Sequence, residues 1–89
     1  MKKNVRNKIY KLMMDIDPYN FLGKSQENES IAQIFGYNSE RANRFVVDLK
    51  IVELIVATEC SFGIKIEKDY GNIFFMKLKD FVDYVFYMT

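Results

Sequence analysis

Histidine is absent from this 89-residue chain, and cysteine occurs once, at Cys60. These shortages exclude a zinc cluster, a histidine-based catalytic triad and an internal disulfide framework. Charge of one sign is also lacking: 13 basic and 12 acidic residues leave a net charge of +1. No global electrostatic footprint therefore points to nucleic acid or to an anionic membrane. The longest nearly uncharged stretch, 54–64, is too short to span a bilayer and carries Glu59. The basic start of the chain is followed by Lys8, Lys11 and Asp15 rather than by an apolar core, which is not a secretory signal pattern. A cytoplasmic location is expected.

What is present is material for a core, since 49% of the residues are apolar and 16% aromatic. One domain spanning residues 1–89 is expected, too small to wall off a deep catalytic cleft. The groups left for catalysis are carboxylates, hydroxyls, lysines and Cys60, and no constellation of them stands out. A binding or carrier module, monomeric and without enzymatic activity, is the expectation. No cation or histidine adjoins Cys60 in sequence, so packing explains it better than reactivity.

Val5, Ile9, Leu12, Met13 and Ile16 fall on one face of a helix over residues 3–15, with Lys2, Lys3, Arg6, Lys8 and Lys11 on a solvated face. Asp17-Pro18 stops that helix. Residues 19–30 are polar and read as a long surface loop, anchored by Phe21 and Leu22. Residues 30–35 form a short apolar turn closed by Gly36.

Neither proline nor glycine occurs between Gly36 and Gly63. Asn38 and Ser39 are good N-cap residues, so one long helix over residues 39–60 is the simplest expectation. Its buried face would be Ala42, Phe45, Leu49, Val52 and Val56, and the apolar run 52–57 implies burial on most sides. Gly63 supplies the stop. Residues 67–72 allow one short helical turn ending at Gly71, after which Ile73, Phe74 and Phe75 return to the core. Leu78, Phe81, Val82, Val85 and Phe86 define a closing amphipathic helix over residues 78–87. The fold class is all-α, a small bundle of three main helices plus a short one.

The back half carries a resemblance. Val52-Glu53-Leu54-Ile55, Glu59, Phe62 and Ile64-Lys65-Ile66 resemble the central helix of acyl carrier proteins and its exit. Leu78-Lys79-Asp80-Phe81-Val82-Asp83-Tyr84-Val85 resembles that family's closing helix. The resemblance implies an acyl-carrier-protein-like bundle whose serine, in an Asp-Ser-Leu motif at the start of the central helix, bears a 4'-phosphopantetheine arm. Partners would be a phosphopantetheinyl transferase and acyl- or peptidyl-transferring enzymes, as in lipid or polyketide biosynthesis. A helix N-terminus favours the incoming phosphate through its free N–H groups and dipole.

Two placements of that serine compete. Reading forward, the run from Ser30 through Gly36 leads to Ser39 as the cofactor-bearing residue, with Asn38 and Glu40 flanking it. This requires about nine additional residues before Val52, roughly two and a half turns of helix. Reading backward from Val52 without a gap puts Asp48 at the serine position. No arm could then be attached, and the chain would be a carrier-like scaffold or regulatory protein. In either case Glu40, Asp48, Glu53 and Glu59 are the candidates for partner contacts, diluted by Arg41, Arg44 and Lys50; carriers of this family are usually strongly acidic. A further reading takes residues 31–45 as a helix-turn-helix presenting Arg41, Asn43 and Arg44 to DNA, which the near-neutral charge does not favour.

Overall fold

The first helix buries the face its periodicity selects. In the computed structural model, which describes residues 1–38 and 43–89, α1 (Lys2–Ile16) buries Val5, Ile9 and Met13, with Leu12 and Ile16 packed at the margin. It stops at Asp17 as expected, but Asp17 does more than end it. Its carboxylate is buried and accepts hydrogen bonds from Lys50 Nζ at 2.6 Å and from Asn20 Nδ2 at 2.8 Å. This pins the end of the first helix to the central one.

The loop after α1 is folded around a buried glutamine. Gln26 Oε1 accepts from the Leu22 amide at 2.6 Å, and its Nε2 donates to the Asn20 carbonyl at 3.0 Å. Phe21 anchors the loop in the core; Leu22, expected beside it, is exposed. A one-turn helix, α2 (Ile31–Ile34), follows, started by a reciprocal capping box between Ser30 and Gln33. Gly36, at φ 101°, closes the turn.

The central helix, α3 (Arg44–Phe62), begins later than expected. Its cap is Asn43, whose side chain accepts from the Phe45 amide at 2.9 Å. The expected start, at Ser39, lies outside the described residues, as do Glu40, Arg41 and Ala42. Gly63 ends the helix in the left-handed conformation, as anticipated.

The larger correction concerns which face is buried. Val47, Ile51, Leu54 and Thr58 point inward, whereas the expected face is open: Phe45 is 68% exposed, Leu49 53%, Val52 47% and Val56 52%. Because α3 is apolar around most of its circumference, spacing alone does not choose between faces. Contact with α1 and α2 covers one side only.

Two short segments complete the bundle. In α4 (Tyr70–Phe75), capped by Asp69, Ile73 and Phe74 are buried while Phe75 is exposed. Gly71 lies within this helix rather than ending it. In α5 (Leu78–Met88), Leu78, Phe81, Val82 and Val85 are buried against α1, and Phe86, expected inside, is partly open. The loop before α2 lies along the α4–α5 junction through Ile31 N to Met76 O, Leu78 N to Glu29 O and Lys79 N to Glu27 O, each 2.9 Å. The described residues form a small all-α fold with three long helices and no strand. None of these helices is long and apolar enough to cross a membrane.

Candidate docking face on the central helix

Phe45, Leu49, Val52 and Val56 recur at i, i+4, i+7 and i+11, so they form one line along α3, about 17 Å from end to end. Cys60, exposed rather than packed, continues the line, and Val46 lies open beside it. Large side chains left in water at helical spacing contribute little to the core. A contiguous patch of them makes this face a candidate interaction surface. Glu53 is the acidic group on this face. It is exposed and has no hydrogen-bond or ion-pair partner among the described residues.

The N-terminal end of the face is held by a polar and aromatic cluster. Arg44 Nε donates to Asp48 Oδ1 at 3.0 Å, one turn along, and the Tyr70 hydroxyl donates a short hydrogen bond to the same oxygen. The guanidinium also lies 4.3 Å from the centre of the Phe74 ring and 5.5 Å from that of Tyr37, within cation–π range. Tyr37 and Phe74 meet edge to face with centroids 4.9 Å apart. Asp48 therefore ties the first turns of α3 to α4. The bonds from Tyr70 and then Arg44 hold its carboxyl below the ordinary carboxylate value. Burial, reinforced by the bond to Asp48, pushes the Tyr70 phenol up to about 12.

The acidic candidates thus separate. Asp48 is engaged by Arg44 and Tyr70, and Glu59 accepts from the Ile66 amide at 2.8 Å, holding the exit of α3 in place. Glu53 alone, among the described candidates, faces solvent without a partner. Ser39 and Glu40 lie outside the described residues. Sequence reasoning missed the open line Phe45–Val56 as a site because it assigned those residues to the core. The available signal was that α3 has more apolar positions than one buried face can use.

No group of three or more metal-ligating side chains occurs among the described residues. Of the residues suggested for DNA contact, Asn43 caps α3 and Arg44 is bonded to Asp48. A scan against known protein families finds no match, and searches of curated proteins and of solved structures return none either.

Proposed function

We propose that this chain is a divergent carrier-type docking protein, recognised by partner enzymes through the open face of α3 and presenting cargo on 4'-phosphopantetheine at Ser39. The observation that carries this reading is the exposed line Phe45, Leu49, Val52 and Val56 on the longest helix. Phe45, the first of those side chains, follows Ser39 by six residues in sequence. The order of elements supports it as well: a first helix packed between the central and closing helices, a long connection, and a short helix before the last one. The resemblance of residues 52–66 and 78–85 to acyl carrier proteins supplies the chemistry. A transferase would join the Ser39 oxygen to the cofactor phosphate, and partner enzymes would act on the thioester. The protein itself would do no chemistry.

The partner surface is predicted to be apolar with a basic residue opposite Glu53. Pairing with a second copy of the chain is disfavoured on the same ground. Glu53 sits near the middle of the line, so a two-fold antiparallel pairing would bring two like charges together.

A second reading keeps the docking face and drops the arm. Asp48 favours it: this residue occupies the serine register counted back from Val52, and its bonds to Arg44 and Tyr70 give it a structural role. Ser39, moreover, stands upstream of the residue that caps α3, so the family's helix-start geometry does not carry over directly. Intact-mass analysis after incubation with coenzyme A and a broad-specificity phosphopantetheinyl transferase separates the two. A mass gain that disappears in Ser39→Ala is expected for the carrier. An unchanged mass beside a working positive control leaves the scaffold.

A further inference from the structure

We propose that the cleft between α1 and α5, on a different pair of helices from the docking face, binds a small phosphomonoester. The cavity has a volume of about 230 Å³. This is below the size usual for drug-like ligands and suits a phosphate with a short apolar group.

Three cations converge there. Lys2 and Arg6 come from successive turns of α1, and Lys79 from the first turn of α5. Lys2 is neutralised by an ion pair with Asp83, whereas Arg6 and Lys79 have no ion-pair partner among the described residues. With Glu27 and Asp83 also on the wall, the lining keeps a net positive charge, and Arg6 and Lys79 offset part of the charge of a phosphomonoester, which approaches −2 near neutral pH. Arg6 brings a planar fork suited to two phosphate oxygens, and Lys79 a point charge.

The rest of the wall fixes the other half of the ligand. Val82 and the ring of Tyr10 line the cleft, and that ring is held edge-on against Phe21 at 5.3 Å. They offer an apolar floor for the ester's organic group. The Tyr10 hydroxyl has no hydrogen-bond partner among the described residues and is available to donate. Burial pushes its phenol above the ordinary value, with Arg6 pulling it down and Glu27 pushing it up. The guanidinium and the Glu27 carboxylate thus both act on this hydroxyl. Glu27 is held at the cleft by its backbone carbonyl, which accepts from the Lys79 amide at 2.9 Å. Its carboxylate opposes an anion and sets an upper limit on affinity.

The test is titration of the folded chain with phenyl phosphate, inorganic phosphate and phenol, followed by amide resonances in α1 and α5. Saturable shifts are expected with phenyl phosphate, tighter than with either fragment and weakening as salt rises. Arg6→Gln should weaken binding about tenfold, the scale of one lost charge-assisted hydrogen bond. Glu27→Gln should strengthen it, a gain that a misfolded variant would not produce. Equal binding by Arg6→Gln and the wild-type chain, weaker binding by Glu27→Gln, or phenol binding as tightly as phenyl phosphate would overturn the proposal. The titration involves neither Ser39 nor a transferase, so it stands or fails separately from the carrier reading.

Discussion

The two faces of α3 are built from nearly the same residue types and have opposite fates. Val47, Ile51 and Leu54 are buried against α1 and α2, while Leu49, Val52 and Val56 on the same helix face water. Side-chain chemistry does not separate a buried leucine from an open one two turns or less away. What separates them is where the neighbouring helices lie. On one face apolar area contributes to folding; on the other it remains available for a partner.

Truncation should expose this difference most clearly. Leu54→Ala is expected to cost about 2–5 kcal/mol by removing a fully buried side chain. Leu49→Ala, the same change on the open face, should stay within about 0.5 kcal/mol. Urea unfolding of the pair measures both, and equal losses would mean that the open face is covered in solution.

The polar anchor of the buried side comes next. Lys50→Met leaves the buried Asp17 carboxylate with Asn20 as its remaining partner, and should cost about 1–3 kcal/mol. Burial alone would raise the Asp17 value, but the bonds from Lys50 and Asn20 outweigh it and hold the group below its ordinary 3.8. A depressed carboxyl stabilises the fold fully above its unfolded value and loses that contribution as pH falls through the folded one. The stability gap between wild type and Asp17→Asn should therefore be constant near neutrality and shrink below 3.8. A gap that widens on acidification would contradict the ion pair.

On the open face, Val52→Glu should leave the urea midpoint almost unchanged. It should slow loading of Ser39 by a transferase about tenfold, the effect of one central contact in an interface. Unaltered loading would place recognition elsewhere. A further expected effect is a gain. Thr58 is fully buried, and its hydroxyl finds no hydrogen-bond partner among the described residues. Thr58→Val keeps the shape, removes the unpaired group, and should stabilise the chain by about 1 kcal/mol. A loss in thermal unfolding would indicate a partner for that hydroxyl, such as a buried water.

The amount of the fold legible in sequence follows the same logic. In α1 and α5 the apolar residues occupy one stripe against charged neighbours, so Val5, Ile9 and Met13, or Leu78, Phe81, Val82 and Val85, identify themselves as core. In α3 apolar residues exceed what one face requires, and the same periodicity fits either side. Polar anchors were illegible for a different reason. Asp17 reads as a helix stop and Gln26 as loop filler, because their partners, Lys50 in one case and backbone groups of a turn in the other, come together only on folding. Arg6 likewise reads as a solvated charge until α5 is packed beside it.

The amino-acid sequence by itself determined the all-α class, the long helices with their glycine and proline punctuation, and the cores of the first and last helices. These depend on local dihedral preference and on one-sided amphipathicity, both properties of contiguous residues. Only the tertiary structure decided that α3 starts at Arg44, capped by Asn43, turns Val47, Ile51 and Leu54 inward, and leaves Phe45, Leu49, Val52 and Val56 open. Which side of an almost wholly apolar helix is buried depends on the helices that meet it. That information lies in contacts between distant parts of the chain and not in the spacing along it.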